Sequence, residues 1–393
     1  MFSSRTPPNL APNRLALALL ELQRAGRPVI DLTESNPTRV GVEYPPDLLT
    51  PLAHPRGLAY QPRPFGLIEA RRAVANEYAR RGVSVPAERI ILTASTSDAY
   101  SLLFKLLANP GDDVLVPRPS YPLFEHLTRL DALSVKSYDL EYHGAWSIDV
   151  ASVEEALTLR TRALLVVNPN NPTGSFVKHD ELARLAQICA ERRIALVADE
   201  VFADYELEPG AASNGGRVLD RDEALVFSLG GLSKSVGLPQ VKLGWIAVAG
   251  PDTLVGRALE RLELVCDTYL SVSTPVQAAA AELLEHGRPV RAQIGARVTI
   301  NYRYLIERSV AAPACRVLRS EGGWYAVLQV PTLLPEEELV LDLLVSDGVL
   351  IHPGYFFDFP RESYLVISLL VSEAAFAAGT ERLFARVLRL QGR

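Results

Sequence analysis

One amine stands out for the chemistry it can do. Lys234 sits in Ser228-Leu-Gly-Gly-Leu-Ser-Lys-Ser-Val-Gly-Leu-Pro-Gln-Val-Lys-Leu-Gly-Trp245, a small-residue loop between the apolar runs Ala224–Leu229 and Val241–Ala249. Ser228, Ser233 and Ser235 place hydroxyls beside it, and Lys242 follows eight residues later. A lysine in a Gly/Ser loop is usually a solvated charge. A tight loop with hydroxyls and a second cation suits instead an amine held near an anion and desolvated enough to attack an aldehyde.

Four other segments fit the same kind of ligand, each beside a plainer reading. In Thr93-Ala-Ser-Thr-Ser-Asp98, a strand gives way to a helix, and Ser95, Thr96 and Ser97 meet the positive end of its dipole. Alone this is an N-cap; paired with a lysine loop it suits a phosphate. Arg118-Pro-Ser-Tyr-Pro122 fixes Tyr121 on a proline-flanked turn, where its ring either packs or lies against a planar cofactor. Asn168-Pro-Asn-Asn-Pro-Thr-Gly174 is a turn rich in amides, structural or able to donate from Asn171 to a phenolate oxygen. Val197-Ala-Asp-Glu-Val-Phe202 ends an apolar strand in Asp199 and Glu200. A carboxylate at that depth needs a cation or a metal. No His or further acid stands nearby in sequence, so a metal is the weaker option, and a protonated ring nitrogen would hold Asp199 ionised.

The elements that must position these residues alternate from Arg89 onward. Apolar strands are expected at Ile90–Thr93, Asp113–Val116, Ala132–Tyr138, Ala163–Asn168, Ala195–Asp199, Ala224–Leu229 and Leu243–Ala249. Helical periods separate them at Ser97–Leu107, Tyr121–Leu130, Ile148–Leu157 and Glu181–Arg192. Strands apolar throughout predict a mostly parallel seven-stranded sheet between helices, whose ligands bind beyond the strands' carboxyl ends. Beyond about Pro289 the pattern changes to a long helix, strand Tyr325–Val330, helix Glu336–Asp347, strand Ser363–Leu370 and a closing helix Glu373–Leu390. The expected division is an α/β large domain over 48–288 and a smaller α+β domain of 1–47 with 289–393.

Composition narrows the class. With 393 residues, 48% apolar and 22% charged, the chain reads as a soluble globular enzyme. Its formal net charge of −6 argues against nucleic acid or an anionic membrane as partner. Cys189, Cys266 and Cys315 lack the spacing of a disulfide framework or zinc site. The N-terminus lacks the pattern of a secretory signal and no segment reads as a membrane span, so the expected location is the cytoplasm.

In combination and order these motifs, from about Pro28 to the C-terminus, resemble the fold-type-I pyridoxal-phosphate (PLP) aminotransferases of class I/II. The resemblance implies that Lys234, Asp199 and Tyr121 form the catalytic set. Lys234 would make the Schiff base and carry the proton, Asp199 would pair with the pyridine nitrogen, and Tyr121 would stack on the ring. Asn171 would contact the ring oxygen, with Phe202 nearby, while Ser95, Thr96, Ser97, Ser233 and Lys242 would surround the phosphate. Tyr60, in Ala59-Tyr-Gln-Pro-Arg-Pro-Phe-Gly66, would reach the phosphate of a neighbouring subunit, which implies a homodimer.

The chain departs from that pattern at several positions. Lys242 stands where the family usually has arginine, Gly231 where many members have a hydroxyl, and Phe202 where tyrosine is common. Absence of the tyrosine hydroxyl at position 202 is expected to raise the basicity of the ring oxygen and move the optimum to higher pH. The largest change is Val366, in Ser363-Tyr-Leu-Val-Ile-Ser-Leu-Leu370, where the family carries an arginine that forks onto the substrate carboxylate. Ser35, in Thr33-Glu-Ser-Asn-Pro37, replaces a glycine on the same side of the pocket. Arg39 is a substitute cation or a surface charge, and Lys242 is a second candidate. Ser35, Asn36, Arg39, Trp324 and Val366 make the expected substrate side, with Tyr325 and Tyr355–Phe359 favouring an apolar or aromatic side chain unless they simply pack.

The leading reading is therefore amino-group transfer between an amino acid and a 2-oxo acid. The missing arginine motivates a second, with the same cofactor doing β-elimination, decarboxylation or racemisation. A non-catalytic PLP-binding regulator would need an appended module that is not evident. No strand is followed by Gly-x-Gly-x-x-Gly, which disfavours a nicotinamide enzyme.

Overall fold

The computed structural model describes residues 1–270 and 272–392, the side chain of Asn214 excepted. Its central feature is an eight-stranded sheet, one strand more than expected. Taken across the sheet, the strands are Ile90–Thr93, Gly244–Ala249, Val226–Gly231, Ala195–Asp199, Thr161–Val167, Asp113–Arg118, Ser134–Tyr142 and Trp146–Ile148. The inner pairings are parallel, and Gly244–Ala249 runs antiparallel between its two neighbours. Ser134–Tyr142 runs past the expected stop at Tyr138 and folds back through Gly144, whose φ is +92°, pairing with Trp146–Ile148. The helix expected from Ile148 therefore begins only at Val150.

Every residue of Ile90–Thr93, Ala195–Asp199, Val226–Gly231 and Gly244–Ala249 is buried. Helices cover both faces, which is why the apolar runs are continuous rather than alternating. Each fully buried Val, Leu or Ile contributes roughly 1.5–3 kcal/mol. The strand face carrying Leu196 and Ala198 packs into one cluster, and the face carrying Ala195 and Val197 into another.

A second sheet of four short strands is ordered Arg316–Val317, Tyr325–Gln329, Tyr364–Ser368, His352–Pro353. Helices Arg288–Ser309, Glu336–Asp342 and Glu373–Gln391 accompany it. The N-terminal segment joins this part of the molecule. Helix Arg14–Arg24 is tied to Glu337 and Glu338 through Arg14, and Ile30–Asp31 pairs in parallel with Val349–Leu350. This pairing hands the chain on to Ser35, because Ser368 binds the carbonyls of Leu32 through its N–H and of Glu34 through its hydroxyl, both at 2.7 Å.

Candidate active site

Strand Val226–Gly231 runs straight into a one-turn helix, Leu232–Ser235, that carries Lys234. The turn is held where three backbones converge. Gly231 lies opposite Gly244, and Gly244 opposite Thr93. A Cβ at Gly231 would come within 3.1 Å of the Leu243 carbonyl, and one at Gly244 within 2.9 Å of the Ser95 backbone. That approach leaves little room for a hydroxyl side chain at Gly231. It also sets Gly244 against the turn that starts the Thr96–Leu107 helix, with the exposed Lys242 two residues before it. Lys242 adopts φ +63°, unusual for a residue with a side chain.

Lys234 is half-buried, its Nζ 4.6 Å from the Trp324 ring centre and 5.4 Å from that of Phe202. Burial among these rings pushes its pKa down to about 8, against the pull of Asp199. That leaves about a tenth of the amine neutral at pH 7, far more than an unperturbed lysine keeps, and the neutral form is the one that acts as nucleophile or proton acceptor. Two residues that sequence reasoning missed hold the turn. The Tyr205 hydroxyl donates to the Lys234 carbonyl, and Arg291 Nε donates to the Ser235 carbonyl at 2.6 Å. Arg291 is locked in turn by Glu77 at 2.7 Å, within a largely buried network that includes Arg80 and Asp204.

Asp199 is buried at the carboxyl end of its strand, accepting from the Tyr100 hydroxyl at 3.1 Å and the Val201 N–H at 3.2 Å. Burial still raises its pKa to about 6. Tyr100, also missed, stands one helical turn beyond Thr96 on the same helix, so its spacing was legible. Asn171 is buried, and its Oδ1 has no partner among the described residues. The Tyr121 ring meets Phe124 edge-on, and burial with the nearby Asp199 charge raises its hydroxyl to about 12. Ser95 is an N-cap, accepting from Asp98 N–H at 3.1 Å. It therefore fits the plain reading, while the first-turn N–H groups at Thr96 and Ser97 lie beyond the reach of intrahelical bonding.

The residues expected on the substrate side are only partly brought together. Val366 is fully buried, with Val327 and His352 as neighbours across the sheet. Burial lowers His352 to about 4, so it is neutral at neutral pH and supplies no cation. Ser35 contacts the Tyr325 hydroxyl, and Trp324 is fully buried with its Nε1 unpartnered among the described residues. Asn36 spends its Oδ1 on the N–H and hydroxyl of Thr38. Arg39 is 73% exposed and 3.9 Å from Glu34. Tyr355 is 43% exposed, whereas Phe357 and Phe359 are buried.

Known proteins sharpen this picture. The family model described as aminotransferase class I and II matches residues 28–383. The chain belongs to that family. The alanine aminotransferase of Mycobacterium tuberculosis is 28% identical over 385 residues, an alignment covering 92% of this chain and 86% of the relative. Nicotianamine aminotransferase B of Hordeum vulgare is 32% identical over 355 residues, covering 84% of this chain and 63% of the relative. Among solved structures, an alanine aminotransferase from Pyrococcus furiosus superposes with a TM-score of 0.88 at 25% identity, over 100% of both chains. A Thermus thermophilus aspartate aminotransferase mutant shares the fold with a TM-score of 0.84 at 24% identity, covering 98% of this chain and 99% of that one.

The chain is thus a PLP-dependent aminotransferase, transferring amino groups between amino acids and keto acids. The residues present fit the cofactor. Among the described residues Asp199 is a desolvated carboxylate with no ion pair, and Asn171 Oδ1 and Trp324 Nε1 have no partner. A phosphorylated pyridine aldehyde offers Asp199 a protonated ring nitrogen and the Lys234 amine a carbonyl carbon.

Proposed function

We propose that this aminotransferase takes amino donors with an apolar or aromatic side chain and binds their carboxylate without an arginine. The observation that carries this reading is the pairing of a buried Val366 with a neutral His352 beside the Ser35–Tyr325 contact. Ser35, Tyr325 and the Asn171 amide are neutral hydrogen-bond donors that fit an anion in that position. Phe202, Trp324 and Tyr325 meet edge-on at 5.3 and 6.2 Å, forming an aromatic wall.

On this reading Asp199 would hold the proton on the pyridine nitrogen, Asn171 would contact the ring oxygen and Tyr121 would cover the ring. Ser95, Thr96, Ser97, Ser233 and Lys242 would bind the phosphate. Bound there, PLP supplies the electron sink that acidifies the α-hydrogen of the amino acid. Lys234 Nζ would take that proton and return it to the cofactor's former aldehyde carbon, C4′. The lowered pKa of Lys234 suits both directions of that transfer. Tyr205 and Arg291 would keep the amine on one face by fixing the carbonyls of its turn.

A homodimer is part of the proposal. Tyr60 is 71% exposed, and Leu58, Tyr269 and Leu270 are exposed at 90%, 60% and 67%. Segment Pro55–Leu58 packs on helix Thr274–His286, and so much exposed apolar surface suits coverage by a second copy, with Tyr60 directed at its phosphate. The buried, unpaired cysteines fit a reducing compartment such as the cytoplasm.

The test is a donor screen on protein loaded with PLP. Visible absorbance should bleach with apolar or aromatic amino acids, with keto acid released in equal amount, and Lys234→Ala should abolish both. Bleaching only by acidic donors would reject the specificity; keto acid without bleaching would reject transamination in favour of elimination.

A further inference from the structure

Asp199 faces the cofactor side; its neighbour Glu200 does not. Alternation along the strand sends Asp199 toward Tyr100 and Glu200 to the opposite face. There Glu200 accepts from the Ser228 hydroxyl at 2.6 Å and from Asn168 Nδ2 at 3.3 Å, and Ser228 in turn meets the Tyr78 hydroxyl at 2.9 Å. Beyond Glu200 opens a cavity of about 460 Å³, walled also by Arg80, Arg81, Glu206 and Arg217.

The charges on those walls are unequally satisfied. Arg80 is engaged by Glu77 and Asp204, and Glu206 accepts from the backbone of Gly210 and Ala212. Arg217 gives one N–H to the Gly82 carbonyl at 2.9 Å. Arg81 lies 4.8 Å over the Tyr78 ring, and among the described residues its guanidinium makes no hydrogen bond and no ion pair within 4 Å, the carboxylates of Glu200 and Asp204 attracting it from farther off. A half-buried guanidinium with no protein acceptor thus faces the cavity, while Glu200 keeps free lone pairs. A simple anion here would meet the charge of Glu200, and a simple cation that of Arg81.

We propose that this cavity is a second ligand site, taking a small zwitterionic amino acid with its carboxylate on Arg81 and Arg217 and its ammonium on Glu200. The site communicates with the cofactor side through one peptide unit. The Glu200 charge helps hold Asp199 in its protonated form. An ammonium bound to Glu200 offsets that charge and keeps Asp199 ionised to lower pH. An occupied site therefore favours the form of Asp199 that can hold a protonated ring nitrogen.

The test uses protein loaded with PLP and reduced with borohydride, so that an added amino acid cannot react. The mass of the fixed adduct reports separately on Lys234, so failure of that assignment is seen apart from failure of the second site. Binding of each protein amino acid, pyruvate, ethanolamine and inorganic phosphate is measured by calorimetry. At least one amino acid is expected to bind tenfold or more tightly than the three singly functional probes. Arg81→Met, Glu200→Gln and Arg217→Ala are each expected to weaken it tenfold or more without lowering Tm. Should Arg81→Met unfold the protein, the exposed Arg217 carries the same test. Equal binding of pyruvate or phosphate overturns the zwitterion. No amino-acid binding, or binding indifferent to all three substitutions, overturns the site.

Discussion

The two sides of the pocket contrast in how well their polar groups are satisfied. On the cofactor side, burial pushes Lys234 down to about 8 and Asp199 up to about 6, and Asn171 Oδ1 has no partner among the described residues. On the opposite side, Val366 is closed in by its neighbours, His352 is neutral, and the Ser368 hydroxyl is bonded to Glu34. Glu336 nearby accepts from the N–H groups of Tyr355, Ser363 and Tyr364. Unmet polar groups mark where a ligand must complete the protein, since their desolvation is otherwise uncompensated. The cofactor side thus holds a carboxylate and an amine whose charged forms are disfavoured by burial, whereas on the substrate side the unmet group among those described is the Trp324 indole N–H.

The contrast breaks most visibly at Lys234. Lys234→Ala should cost at least the roughly 10²–10⁴-fold attached to a positioned proton carrier, measured as turnover with excess PLP. Retention of ordinary turnover would remove Lys234 from the mechanism. Asp199→Asn comes next, with turnover falling by about 10²-fold or more and a second, opposite effect on stability. The folded pKa of Asp199 is about 6 against an ordinary carboxylate value of 3.8. Its protonated form is favoured by folding, so its contribution is present below the lower value and is lost as pH rises through about 6. At about 1.4 kcal/mol per unit, that is of order 2–3 kcal/mol. Cofactor-free Asp199→Asn should therefore melt a few degrees higher than the parent at pH 7, a gain that vanishes at pH 4. A lower melting point at pH 7 would mean that the apoprotein already pairs this carboxylate well.

Most of the cofactor side was legible in the sequence because its residues cluster in short segments at strand ends. Helices Thr96–Leu107 and Glu373–Gln391 fall within one residue of where periodicity puts them. The edge strand Trp146–Ile148 was not legible, since its conformation comes from pairing with a strand that overruns its apolar stretch. Tyr205 and Arg291 were hidden for another reason: they reach the lysine turn from 29 and 56 residues away and carry no local signal. On the substrate side, Val366 showed what is missing. Only the fold shows that His352 stands across from it and that Arg39 is largely exposed.

Val366→Arg sharpens that point. Were the pocket merely lacking its fork, the substitution would improve use of ordinary amino acids. The valine is fully buried against Val327, with a neutral imidazole across the sheet. The longer, charged side chain should instead overpack the site, at a cost of about 1–3 kcal/mol or more, seen as a lower Tm with no gain in kcat/KM. A gain in kcat/KM would show that the pocket still has room for its fork. Tyr325→Phe should act more mildly, raising KM about fivefold to tenfold with kcat nearly unchanged, as loss of one uniform binding contact requires. A fall in kcat at constant KM would place the hydroxyl in the chemistry instead.

The smallest effect belongs to Phe202→Tyr, which adds one hydroxyl to the cofactor side. The phenyl ring is buried, edge-on to Trp324 at 5.3 Å and 5.4 Å from Lys234 Nζ. A donor added there would favour the anionic form of the ring oxygen by about 1.5–3 kcal/mol, the usual scale for a hydrogen bond to a charged group. That energy corresponds to about one to two pH units. The pH at which the visible absorbance of the loaded protein switches should therefore fall by about that much, while kcat changes less than tenfold at its own optimum. An unmoved transition would mean that the ring only packs against Trp324, and that position 202 does not set the pH range of the cofactor.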